Sequence, residues 1–127
     1  MSKKILIVED DHNISELLQL YLKNEGYETV IANDGGEGID QFRRFRPDLV
    51  LLDLMLPGLS GEEVLPRIQG IPVIVVSAKT AVQDKVDLLL GGAADYLTKP
   101  FDTKELLARV AVRLREAACS PLTTVYT

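Results

Sequence analysis

The side chains most able to do chemistry are the acidic run Glu9-Asp10-Asp11, the carboxylate of Asp53, the hydroxyl of Ser77 and the ammonium of Lys99, which Pro100 follows. Each of the first three directly follows an apolar run (residues 5–8, 49–52 and 73–76), and Lys99 lies just past a weaker one at 96–97. Two carboxylates about 4 Å apart repel by roughly 4 kcal/mol at the effective dielectric of a protein surface. A cluster of acids is therefore a poor device for stability. It is a good one for a hard divalent cation, which takes oxygen ligands and keeps several of its waters. Brought to one rim, these groups would suit Mg²⁺, with phosphate oxygens able to complete the shell.

Taken singly, each signal has a blander reading. Acids after a strand are often helix N-caps, a role that suits Asp11 or Asn13. A lone aspartate closing a strand is often a turn former, and Lys99-Pro100-Phe101 says little alone. The combination carries weight only if the fold places all the groups on one edge.

The elements that must do this are five apolar runs, at 5–8, 29–32, 49–52, 73–76 and 96–97, alternating with segments of helical period. Three of the runs are continuously apolar, as expected of strands covered on both faces in a parallel sheet. Ile14, Leu17, Leu18, Tyr21 and Leu22 form one helical stripe. Ile39 and Phe42 carry a shorter helix that ends near Phe45, because Pro47 disfavours helix in the residue before it. Val64, Leu65 and Ile68 suggest a third, stunted by Pro66, and Val82, Val86 and Leu89 a fourth. The fifth holds Leu106, Leu107, Val110 and Leu114, with Asp102 and Glu105 spaced as a capping box. This alternation predicts an α/β fold, a (βα)₅ doubly wound five-stranded parallel sheet with right-handed crossovers. In such sheets ligands bind at the carboxyl ends of the strands, where the strand order reverses. Those are the positions the polar groups occupy.

At 127 residues the chain suffices for one domain. A net charge of −5 argues against nucleic-acid binding by this piece itself. No apolar run is long enough to span a membrane. The single Cys119 cannot form an internal disulfide, so a cytoplasmic location is the default expectation. Residues 119–127 read as the start of a linker.

Over about residues 3 to 118 the chain resembles the receiver domains of two-component response regulators. The matching pieces are residues 7–11 (IVEDD), 52–58 (LDLMLPG), 76–78 (VSA) and 92–101 (GAADYLTKPF). The resemblance implies the flavodoxin-like strand order 2-1-3-4-5. It implies Asp53 as phosphoacceptor, with a sensor histidine kinase as donor. Asp10, Asp53 and the backbone carbonyl of Met55 would be Mg²⁺ ligands, and Glu9 would hold a metal-bound water. Ser77 and Lys99 would meet phosphoryl oxygens, Tyr96 would be an aromatic switch, and Pro100 would follow a cis bond. Met55 and Lys79 would flank the phosphoryl group and set its lifetime.

The nearest likeness is to OmpR/PhoB-type transcriptional regulators, which carry a winged-helix DNA-binding domain. It implies a receiver domain over residues 1–118, a linker from 119, and DNA contact only through a C-terminal domain outside this chain. It also implies a homodimer through the fourth helix, fifth strand and fifth helix, with Lys85–Glu105 and Asp95–Arg109 as bridges between subunits. The bland alternative is a solvated face, since Glu105 and Arg109 are also a helical i, i+4 pair. The run Leu88-Leu89-Leu90 favours an interface, because one helix cannot bury all three. Ala94 departs from the pattern where many relatives have a second acid. His12 reads as a surface residue.

Three rival functions remain open. An aspartate-nucleophile phosphatase of the haloacid-dehalogenase type needs an acid two residues past the nucleophile, where this chain has Met55. A flavodoxin-like FMN carrier needs a phosphate-cradling loop after the first strand, where this chain has acids. A stand-alone receiver signalling to protein partners would lack the DNA-binding domain.

Overall fold

The computed structural model describes residues 2–78 and 82–123; the side chains at 82–85 and 116–123 lie outside that description. In chain order the elements are β1 (Lys4–Val8), α1 (His12–Asn24), β2 (Glu28–Ala32), α2 (Gly35–Phe45), β3 (Leu49–Asp53), α3 (Gly61–Val64), β4 (Val73–Ser77), α4 (Val82–Leu90), β5 (Asp95–Thr98) and α5 (Thr103–Thr123). One 3₁₀ turn, Leu65–Arg67, extends α3. The strands form one parallel sheet in the order β2-β1-β3-β4-β5, as expected.

Every residue of β3 and β4 is buried, which explains why their sequences are continuously apolar up to the last position. Successive side chains of a strand alternate between faces, and the core divides accordingly. Leu6, Val8, Val50, Leu52, Val73 and Val75 pack with residues of α2, α3 and α4 on one face. Ile5, Ile7, Leu49, Leu51, Ile74 and Val76 pack with Leu18, Leu22, Leu106, Val110 and Leu114 of α1 and α5 on the other.

Local chemistry sets the helix ends. The Asp11 carboxylate accepts hydrogen bonds from the Asn13 and Ile14 amides and caps α1. Asp34 caps α2 through the Glu37 amide, and α2 stops at Arg46, in the left-handed region with φ 51°, just before Pro47. Ser60 and Glu63 form a capping box on α3, and Pro66 falls in the 3₁₀ turn, so this helix is stunted as predicted. Asp102 caps α5 through the amides of Lys104 and Glu105.

Two helical stripes differ from the sequence reading. Among the described side chains of α4 the buried one is Leu88, whereas Val86 and Leu89 are exposed. Period alone cannot choose among three adjacent leucines; the direction in which the helix lies on the sheet does. In α1 the buried edge runs through Leu18 and Leu22, and Leu17 is left half exposed. The backbone of α5 continues through Thr123.

Leu22 is fully buried under the face that α1 and α5 cover. Leu22→Ala should cost about 3 kcal/mol, read as a lower urea midpoint at unchanged slope. A loss below about 1 kcal/mol would mean that this layer is not close-packed.

Candidate functional site

The sheet register brings the polar groups together. Val8 lies opposite Leu52, so the next positions along these parallel strands are Glu9 and Asp53. Asp53 lies opposite Val76, and Ser77 opposite Thr98, which places Ser77 one step and Lys99 two steps further along the same rim. A backbone hydrogen bond of 2.8 Å from the Lys99 amide to the Ser77 carbonyl fastens the two together. The strand order reverses between β1 and β3, so the acids occupy the expected crevice.

Glu9, Asp10 and Asp53 each offer a carboxylate oxygen, all within 4.8 Å of one another. Glu9 is 3% exposed and Asp53 4%, while Asp10 faces solvent at the mouth. Lys99 Nζ lies 2.8 Å from Glu9 Oε1 and 3.3 Å from Asp53 Oδ2. Asp53 Oδ1 accepts a hydrogen bond of 3.1 Å from the Met55 amide, and Glu9 Oε2 one of 3.2 Å from the Asp11 amide. Ser77 is fully buried, and the Lys99–Pro100 peptide is cis.

Three carboxylates against one ammonium leave the rim negative. Burial pushes the Glu9 carboxyl up to about 7; the Lys99 hydrogen bond opposes this, and neighbouring Asp53 adds to it. Burial alone would lower the Lys99 pKa, but the hydrogen bond to Glu9 and the charges of Asp53 and Glu9 outweigh it and raise it. An all-oxygen donor set with excess negative charge and a solvent-facing member fits a hard cation such as Mg²⁺. Asp10, Asp53 and Glu9 are the side chains able to hold it.

The remaining sequence-predicted residues are more scattered. Tyr96 is half-buried on β5, against the core face that holds Leu88 and Ala93. Met55 is 61% exposed beside Asp53. His12 is exposed in the first turn of α1. The side chain of Lys85, all of Lys79 and the side chain of Cys119 lie outside the described residues.

On the face formed by β5 and α5, Arg109 Nη1 holds both Asp95 oxygens at 2.8 and 2.9 Å, and Nη2 holds Glu105 at 3.0 Å. This Asp95–Arg109 contact forms within one chain. The reason is that α5 runs alongside β5 and delivers Arg109 to its own Asp95. Arg113 adds a second cation at 3.5 Å. Sequence reasoning missed it, although Arg109 and Arg113 stand one helical turn apart and share a face.

The raised Glu9 pKa makes a stability statement. Its folded value exceeds its ordinary one, so its contribution is complete below about 4.5 and is lost as pH rises through about 7. Without divalent cation, Glu9→Gln should melt higher than the parent at pH 8, and the difference should vanish near pH 5. Added Mg²⁺ should raise the parent's Tm at pH 8 more than at pH 5. Equal Mg²⁺ effects at both pH values would contradict this account of the acid cluster.

Comparison with known proteins agrees with the geometry. A family model described as the response regulator receiver domain matches residues 5–111. The DNA-binding response regulator MtrA of Mycolicibacterium smegmatis is 46% identical over 127 residues, covering 95% of this chain and 54% of that protein. MtrA of Mycobacterium tuberculosis H37Rv is 47% identical over 121 residues, covering 91% of this chain and 52% of that protein. The chain thus spans about half the length of these relatives. Among solved structures, the signal receiver domain of a putative Luxo repressor protein from Vibrio parahaemolyticus superposes with a TM-score of 0.91 at 34% identity, covering 97% of this chain and 98% of that one. The BeF₃-activated N-terminal receiver domain of RstA from Klebsiella pneumoniae gives 0.84 at 33% identity, covering 89% and 99%. A (βα)₅ sheet with its acids gathered at the switch point, and a family match over most of its length, make this chain a member of the response regulator receiver domain family, homologous to DNA-binding regulators such as MtrA.

Proposed function

We propose that this receiver accepts a phosphoryl group on Asp53 from the phosphohistidine of a sensor histidine kinase, and that the modified form controls transcription through a DNA-binding domain outside this chain. The observation that carries the reading is the contact of Lys99 with both Glu9 and Asp53, beside Asp10, at the carboxyl edge of the sheet. A carboxylate oxygen of Asp53 attacks phosphorus as the P–N bond to the donor imidazole breaks; the electron pair stays on that nitrogen, and the imidazole leaves neutral with the proton already on its other ring nitrogen. Phosphoryl transfer asks the protein mainly for in-line positioning and for cancelling charge on the equatorial oxygens. Lys99 turns from Asp53 to one oxygen, and Ser77 donates its hydroxyl to another. Asp10, Asp53 and the Met55 carbonyl would hold Mg²⁺, with Glu9 holding a water of its shell; the ion would supply positive charge against the phosphoryl oxygens. Met55, exposed beside Asp53, limits attack by water.

Drawing Ser77 inward opens space for the Tyr96 ring, and the surface of α4, β5 and α5 changes with it. Leu90 is 82% exposed and Leu89 48%, with Val86 and Val112 also uncovered, which suits a second copy of the chain. Among the described side chains, Asp95, Glu105 and Arg109 are charges on this face for bridging it. Asp95 and Arg109 already satisfy each other within the chain, so dimerisation exchanges partners and gains little from these pairs. The apolar patch then supplies most of the affinity. Among the described residues no helix is long and apolar enough to cross a membrane, and a cytoplasmic location is part of this proposal.

Treatment with acetyl phosphate and Mg²⁺ should add one phosphate by intact mass, and Asp53→Asn or chelation should abolish the gain. Lys99→Ala should still take up phosphate but lose the coupling to dimerisation. Phosphate on Asp53→Asn, or multiple turnovers of a phosphate ester by the parent, would overturn the reading. Leu90→Glu should weaken the phosphorylated dimer about ten-fold or more by sedimentation while leaving the phosphorylation rate unchanged. An unchanged dimer would place the interface elsewhere.

A further inference from the structure

The segment between β3 and α3 carries Met55, whose amide holds the Asp53 carboxylate, and its closure depends on one residue without a side chain. The Gly61 amide donates a hydrogen bond of 3.1 Å to the Leu54 carbonyl, tying the first residue of α3 to the residue after Asp53. A Cβ at position 61 would sit 2.5 Å from the Asp53 carbonyl oxygen, 2.7 Å from Leu54 Cα and 3.0 Å from Leu54 Cδ2. The two closest atoms are backbone, so no rotamer change relieves the overlap. Nor can either side retreat: Asp53 and Leu54 are buried on one side, and Val64 and Leu65 on the other. Any side chain at 61 must therefore displace the Asp53–Leu54 peptide.

That peptide leads directly to Met55, whose amide holds Asp53 Oδ1 at 3.1 Å. A shift of the peptide moves the accepting carboxylate relative to Glu9, Asp10 and Lys99, which are carried by other strands. We infer that Gly61 is a positioning residue for the reaction at Asp53: its missing side chain lets α3 press on the Asp53–Leu54 backbone and so fixes the acceptor against its neighbours. Gly61 touches neither the phosphoryl donor nor the metal. Its action runs through Leu54 and Met55. The inference rests on the reading of Asp53 as acceptor, and deepens it.

Gly61→Ala is compared with Leu22→Ala, which loses stability on the opposite face of the sheet without approaching Asp53. Ser60→Ala is the second variant: it removes the capping box from α3 at a partly exposed position, loosening the start of the helix without adding bulk. Three quantities are read per folded protein: the Met55 amide resonance in metal-free protein, Mg²⁺ affinity, and the acetyl phosphate rate. Misplacement of a reacting group by about 1 Å can cost about 100-fold in rate. Gly61→Ala should shift the Met55 resonance, weaken Mg²⁺ binding and slow phosphorylation about ten-fold or more. Ser60→Ala should do the same to a smaller degree, and Leu22→Ala should match the parent in all three. If Gly61→Ala does not fold, Ser60→Ala decides alone: a moved Met55 resonance and weaker Mg²⁺ binding support the inference, and parent-like values overturn it. Parent-like values in folded Gly61→Ala, or equal losses in Leu22→Ala, also overturn it. A parent chain that takes up no phosphate overturns the acceptor reading instead, a result distinct from all of these.

Discussion

Two carboxylates, Glu9 and Asp53, are buried side by side with one ammonium between them. The rest of the domain is arranged around the cost of keeping them there. Like charges in a low-dielectric rim repel strongly, and Lys99 offsets only part of this. Burial first, and the neighbouring Asp53 after it, push the Glu9 carboxyl up to about 7. Binding of a cation or uptake of a proton relieves the excess negative charge of the rim. A site left deliberately out of balance responds to small ligands, whereas a neutral, fully paired one would not.

The sheet makes that imbalance tolerable. Strands β3 and β4, buried at every residue, deliver Asp53 and Ser77 from a rigid base, and cores on both faces leave them no freedom to separate. Lys99 arrives from β5, and its amide is fastened to the Ser77 carbonyl. Four polar groups from four strands thus meet at one edge. The loops carry the remaining adjustable parts, Met55 among them.

Much of this was legible in the amino-acid sequence because it follows from local rules. A polar residue closing an apolar run marks a strand's carboxyl end, and Pro47 and Pro66 mark where helices stop. The legible acids Glu9, Asp10 and Asp53 do converge. What could not be read depends on directions in space. Leu88 rather than Leu89 is buried, since the packing angle of α4 chooses among three leucines. Leu17 lies outside a stripe that its spacing seemed to include. Arg109 pairs with Asp95 of its own chain because α5 lies along β5, and Arg113 joins it. The pressure of Gly61 on the Asp53 backbone leaves no mark in composition or period, because it arises from the closure of a loop.

The central claim is that Glu9, Asp10, Asp53 and Lys99 surround one cation site at the carboxyl edge of the sheet. Paramagnetic broadening by Mn²⁺, read residue by residue in amide spectra, tests it most directly. The amides of Asp10, Asp53, Met55 and Lys99 should disappear together at the lowest Mn²⁺ concentrations, while Lys4, Asp48 and Ile71, at the opposite ends of the strands, stay sharp. Broadening centred on another acidic stretch, such as Glu62 and Glu63, with Asp53 and Lys99 untouched, would contradict the account.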